Sequence, residues 1–380
     1  MSLVAAERER LHETFADLCR IESPSGRERA CADWVTAHLR GLELEVSEDG
    51  SGPAAGSDAG NLLARIEGRG AGSVLFCAHL DTVPLAAPVI PELVDGVWRN
   101  ANDGILGADN KSAVAVLVAL ARLLSRATEP PPIGVELLFT VCEEVSLRGS
   151  REFDVARLRS SFGFVFDHAT PVGEVVVASP THYRVDARLH GRAAHAGGRP
   201  ETGRSAIAAA ARAIAAMELG RLDDETTANV GTIEGGSAIN VVPEHCRVVA
   251  EARSLHPDRA AAVATELVDR LQDAADAGEC DLDLELARMF AGYRVGASEP
   301  QLAIAERALI ACGLQARRIH SGGASDANSL VAAGFPCLCL ADGVAANHEP
   351  TERIAASSLE QMLEVALAIV DQAAVELGAR

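Results

Sequence analysis

Aromatic side chains are scarce: nine Phe, two Tyr and two Trp stand among 380 residues, so the core must be built mostly from Ala, Val, Leu and Ile. Positive charge is also in deficit. Thirty-four Lys and Arg face 54 Asp and Glu, a net charge of −20. That balance argues against nucleic acid and anionic membrane as partners and fits a chain that concentrates cations. None of the nine cysteines falls in a Cys-x-x-Cys pattern, which removes the common thiolate metal and redox motifs. Cys337 and Cys339 alternate inside an apolar stretch and read as core packing. No stretch is long and apolar enough to span a bilayer, and the first fifteen residues, with Glu7, Arg8, Glu9 and Arg10, do not read as a signal peptide. Free thiols without an export signal point to a reducing cytoplasm.

The chain is longer than one ordinary core, so two domains are expected. Its centre is Ala78-His79-Leu80-Asp81-Thr82-Val83, which follows the apolar run Ser73–Cys77. Residues two apart on a strand share a side, so His79 and Asp81 leave the strand together. The pair suits a metal ligand and the group that orients it; taken alone, so short a pattern is more often a strand cap and a turn. Similar punctuation recurs. Gly107-Ala108-Asp109-Asn110-Lys111 opens an apolar helix running to about Ser125, where Asp109 by itself would serve as an N-cap. The strand Val135–Cys142 ends in Glu143-Glu144, and the strand Phe162–Phe166 ends in Asp167-His168. Ligand sites in open α/β sheets collect beyond the carboxyl ends of strands.

The remaining elements are helices over 3–20 and 27–40, a strand over 42–46, a mobile loop over 49–60 and a long irregular excursion over 84–108. From residue 181 the pattern changes to βαββαβ: strands near 183–190, 226–233, 246–252 and 281–287, with helices over 204–217 and 258–274. This reads as a separate insert of about 110 residues. An α/β pattern resumes from about Ser298, with the loop Ser321–Ala327, a strand over 335–340, the loop Ala346–Thr351 and a closing helix over 357–376. The expected architecture is α/β: a central mixed sheet flanked by helices, formed by 1–180 plus 293–380, with an inserted α+β domain over 181–292.

These motifs, in this order, resemble the M20 family of two-zinc peptidases, most of all its peptidase T-like branch. The likeness spans nearly the whole chain and includes Gly191-Arg192-Ala193-Ala194-His195 and Gly235–Glu244 in the insert. It implies a zinc exopeptidase-like catalytic domain with an inserted lid and dimerisation domain. It also implies two Zn²⁺, with Co²⁺ or Mn²⁺ as alternatives. His79 and Asp167 would bind one ion, Glu144 and His348 the other, and Asp109 both. Asp81 would orient His79, and Glu143 would act as general base on a hydroxide bridging the metals. His195 would reach the active site of a partner subunit in a homodimer. Asn240 and Arg253 would contact substrate, and the Asp109-Asn110 bond would be cis. Gly323 and Asp326 fall in a loop one residue longer than the family's usual Gly-Gly-Thr-Asp form, and are expected in the substrate pocket. The implied reaction is hydrolysis of a small peptide, aminopeptidase- or tripeptidase-like. Alternatives are an N-acyl-amino-acid amidohydrolase or carboxypeptidase of the same family, and a silent dimeric scaffold.

Overall fold

The strand Ser73–His79 is buried at every position, as a continuous apolar run requires when both faces of a sheet are covered. The structure is a computed structural model and describes residues 3–378. It divides into two units, one of residues up to Val177 together with those from Arg294 on, the other Ala178–Tyr293.

In the first unit, Ser73–His79 runs parallel to Gly134–Thr140 on one side and to Gly163–His168 on the other. Gly163–His168 is in turn parallel to Cys337–Ala341. Antiparallel strands Leu62–Ile66 and Glu174–Ser179 extend the sheet on either side. The parallel strands share a direction, so His79, the turn after Thr140, Asp167 and Asp342 all emerge at one edge. Helix Ala108–Ser125 packs against Ser73–His79 and is buried on all sides from Ala108 to Ala121, consistent with the unbroken Ala/Val/Leu run over 113–121. Helices Ala5–Cys19, Arg29–Arg40, Pro300–Ala311 and Ala356–Glu376 complete the cover.

Three local expectations fail. Residues 84–108 are not wholly irregular. Pro91–Val94 and Val97–Asn100 form a hairpin closed by Asp95 (φ 51°) and Gly96 (φ 78°). Asp-Gly favours that two-residue turn. The hairpin joins Arg353–Ala355 and Val344–Ala345 in a small sheet. Residues 42–46 are mostly a helix end, with Leu44 N–H bonded to Leu39 C=O at 3.2 Å and Glu43 at φ 63°; the strand is only Val46–Glu48. Residues 49–60 are organised by Asp49, whose Oδ1 accepts from the amides of Ser51 (3.0 Å) and Asn61 (2.9 Å), around a short helix Gly52–Ala55.

The second unit is an antiparallel sheet in the order Gly220–Asp223, Thr226–Gly235, His245–Ser254, Thr181–His190, Asp281–Phe290. Helices Ala206–Ala215 and Pro257–Ala277 pack on it. Val185, Ala187, Leu189, Val248, Ala250 and Ala252 meet Ala209, Ala213, Leu267 and Leu271 in its core. The short strand Gly220–Asp223 is an addition to the expected βαββαβ order.

Candidate metal centre

His79 is the last residue of its strand and is 1 % exposed. Its Nδ1 lies 3.0 Å from the main-chain carbonyl of Asp81. Nδ1 therefore donates, and Nε2 is left with its lone pair. That atom lies 3.3 Å from Asp109 Oδ1 and 3.4 Å from Asp167 Oδ1. The other oxygen of Asp109 is 3.3 Å from His348 Nε2 and accepts from Asn347 Nδ2 at 3.1 Å. His348 Nε2 also approaches both Glu144 oxygens, at 3.1 and 3.0 Å. Ligand atoms of His79, Asp109 and Asp167 lie within 4.8 Å of one another; so do those of His79, Glu143 and Glu144, and those of Asp109, Glu144 and His348.

The loops are held by buried carboxylates. Asp81 Oδ1 accepts from the amide of Glu143 at 2.9 Å and Oδ2 from that of Glu144 at 3.1 Å, while Ser25 Oγ donates to Oδ2 at 2.7 Å. The Asp81 carboxylate thus shapes the Glu143-Glu144 turn more closely than it touches His79, from which Oδ1 is 3.5 Å away. Just before that turn Cys142 takes φ 53°. Its amide donates to Glu28 Oε1 at 3.1 Å, one of the contacts that hold an unfavourable left-handed backbone. The Asp109-Asn110 peptide is cis, and Asn110 Nδ2 donates to Asp167 Oδ1 at 3.2 Å.

Crowding sets the electrostatics. Burial opposes charge on His79, yet Asp167 and Asp109 hold its pKa well above the usual histidine value. Bonds to Asp109 and Glu144 push His348 up to about 10. Burial first, and Asp167 second, raise Glu143 well above the ordinary carboxyl range. Burial raises Asp167 and Glu144 as well. Lone pairs of two imidazoles and several carboxylates converge on one space, which demands protons or metal cations between them.

Other expected site residues are placed differently. Asp326 is fully buried at the start of helix Asp326–Ala332, bonded by Thr140 Oγ1 and faced by the Cys77 thiol at 3.8 Å. A side chain closed off in this way braces the floor of the site and does not line a substrate pocket. The Gly323 amide donates to Ser321 Oγ at 3.0 Å. His195, Asn240 and Arg253 belong to the second unit. His195 Nδ1 accepts from the amides of Gly197 (3.1 Å) and Gly198 (2.9 Å), which places the ring proton on Nε2. The Asn240 carbonyl accepts from Ala196 N–H at 2.9 Å. Arg253 is forked onto Glu251 of its own strand, at 3.2 and 3.0 Å. Asn347, Asn110, Ser25 and Glu352 all touch the site, and residue type alone gave them no role. Asn110 and Asn347 lie in stretches that the sequence singles out, the cis step after Asp109 and the loop Ala346–Thr351; Ser25 and Glu352 do not.

The model of the peptidase dimerisation domain of M20 enzymes matches residues 181–279, and that of peptidase family M28 matches 61–184. The second segment includes His79, Asp109, Glu143, Glu144 and Asp167 but stops short of His348. Likenesses over the full length decide between the families. The uncharacterized protein YqjE of Bacillus subtilis strain 168 is 33 % identical over 368 residues, 96 % of this chain and 98 % of that one. Aminopeptidase PepT of Bacillus cereus is 34 % identical, with a TM-score of 0.86 over 96 % of this chain and 98 % of its own. A tripeptidase of Staphylococcus aureus is 31 % identical, with a TM-score of 0.92 over 97 % and 99 %. The chain belongs to the M20 family of metallopeptidases.

Proposed function

We propose that this peptidase hydrolyses the amide bond of small peptides, as an aminopeptidase or tripeptidase, at a centre where His79, Asp109, Glu144, Asp167 and His348 would hold two divalent cations. Zinc suits the imidazole and carboxylate set best, with Co²⁺ or Mn²⁺ as substitutes. The observation that carries the proposal is the seat of Asp109, each of whose oxygens faces a different imidazole at 3.3 Å. A carboxylate so shared is the natural bridge between two ions. His79 and Asp167 would serve one ion, Glu144 and His348 the other.

When bound, such ions polarise a carbonyl and lower the pKa of a water toward about 7. Glu143 would take the proton of the attacking water and pass it to the leaving nitrogen. Its buried setting and raised pKa fit a group that accepts a proton and gives it back. Asp81 keeps Glu143 and Glu144 in register by gripping both their amides. His195 offers an Nε2–H donor for the oxyanion, and we place it at the active site of a partner subunit, in a homodimer formed through the insert. Asn240 and Gly323 would contact the peptide. Arg253 would meet a substrate carboxylate in exchange for Glu251. We take residues 1–180 with 293–380 as catalytic and 181–292 as the lid and dimerisation domain. A cytoplasmic setting is supported by nine cysteines that are all unpaired. No helix among the described residues is long and apolar enough to cross a membrane.

The test is a substrate panel on zinc-loaded protein: tripeptides, dipeptides, N-acyl amino acids and N-blocked peptides. Metal-dependent release of the N-terminal residue from tripeptides with a free amine is expected. Cleavage confined to N-blocked or N-acyl substrates would replace this proposal with an amidohydrolase or carboxypeptidase.

A further inference from the structure

We infer that Glu352 is a positioning residue for the Asp109 carboxylate, acting through a clamp of one buried carboxylate on three backbone amides. Glu352 is 1 % exposed. Its Oε2 accepts from the amides of Leu106 and Gly107, both at 2.7 Å, and its Oε1 from the amide of Asp109 at 2.9 Å. Leu106 and Gly107 are themselves buried. Buried donors of this kind carry a desolvation penalty when left without a partner. The carboxylate sits at the amino end of helix Ala108–Ser125, where the exposed amides and the helix dipole favour negative charge.

Asp109 needs such a hold more than its neighbours do. His79 is paired with Thr140 on the neighbouring strand, and Asp167 stands between Phe166 and His168, which are both paired with the strand Cys337–Ala341. Asp109 lies in a turn where φ and ψ depart from the helix, at −82° and 103°. Glu352 also comes from the loop that bears His348, and its own amide is tied to Glu349 C=O at 2.9 Å. One short loop therefore holds Asp109 twice. Asn347 and His348 meet its side chain, and Glu352 holds its main chain. The clamp fixes where the shared oxygens point relative to the ring of His348. Displacement of a reacting group by about 1 Å can cost on the order of a hundredfold in rate.

The inference rests on Asp109 being the shared metal ligand, and the experiment separates the two. Metal-free wild type, Glu352→Gln and Glu352→Asp are titrated with Zn²⁺ by calorimetry, with stoichiometry checked by elemental analysis. Peptide hydrolysis, circular dichroism and melting in chelator are measured alongside. Glutamine keeps the shape, but its NH₂ must oppose at least one of the three N–H groups. Wild type should bind two equivalents. Glu352→Gln should bind at least one equivalent ten- to a hundredfold more weakly, with kcat down at least tenfold, KM within twofold, and melting in chelator within a few degrees of wild type. Glu352→Asp, which keeps the charge on a shorter arm, should fall between the two. Wild-type affinity and kcat in Glu352→Gln would overturn the clamp alone. So would an aspartate variant no better than glutamine, or a loss matched by collapse of the chelated protein. A wild type that binds no metal would overturn the metal centre and this inference with it.

Discussion

His79 and His348 meet on opposite oxygens of the same carboxylate, each Nε2 atom 3.3 Å from its own oxygen of Asp109. One ring caps a buried strand and the other stands in a loop near the end of the chain. Asp109 is the point at which the two halves of the first unit's sequence become one site.

Replacement of Glu143 separates proton transfer from metal binding. Glu143→Gln keeps the volume and removes the base. Hydrolysis should fall by about 10²- to 10⁴-fold, with metal stoichiometry unchanged by elemental analysis. Full activity in this variant would assign the proton to another group.

Asp81 tests how far the site depends on its support. Its carboxylate accepts two amides and a hydroxyl while wholly buried. Asp81→Asn removes the charge and sets an NH₂ against an N–H. Stability should drop by about 2 to 4 kcal/mol, since hydrogen bonds to charged groups contribute about 1.5 to 3 each. Turnover should fall about ten- to a hundredfold. Denaturant melts and steady-state kinetics measure both, and unchanged values would show that the Glu143-Glu144 turn holds itself.

Metal removal has a signed dependence on pH. In the metal-free protein His348 titrates near 10, against 6.5 for an ordinary histidine, and His79 is also raised. A raised folded pKa gives stability that is complete below about 6.5 and is lost as pH climbs through about 10. Metal binding requires neutral rings and releases their protons, so it strengthens over the same range. The melting-temperature gap between zinc-loaded and chelated protein should therefore widen from pH 6.5 to pH 9. A constant or shrinking gap would contradict the proposed imidazole ligands.

His195 distinguishes a donor at the reaction from a turn histidine. His195→Ala should lower kcat by about 10²- to 10³-fold, the usual effect of losing one oxyanion donor. Metal affinity should stay as in wild type, because both imidazoles of the metal centre lie in the other unit. Loss of stability without loss of kcat would reduce His195 to a cap on the Gly197-Gly198 amides.

Sequence alone determined the buried parallel strands of the first unit and what ends them. A buried parallel strand is apolar along nearly all its length, so a His, an Asp or a Glu pair at its carboxyl end is conspicuous. His79, Glu143-Glu144 and Asp167 were legible for that reason, as were the inserted α+β unit and the long Ala/Val/Leu helix. Tertiary structure decided which polar groups face each other, because hydrogen-bond partners distant in the chain leave no periodic trace. Asp326 carries the same residue type as Asp109, yet Thr140 and Cys77 enclose it. Arg253 is held by Glu251, two residues away on one face of its strand. Glu352 reads as one more loop carboxylate until the turn before Asp109 folds against it. A side chain's type states which bonds it can make; only the packed chain states which atoms come close enough to make them.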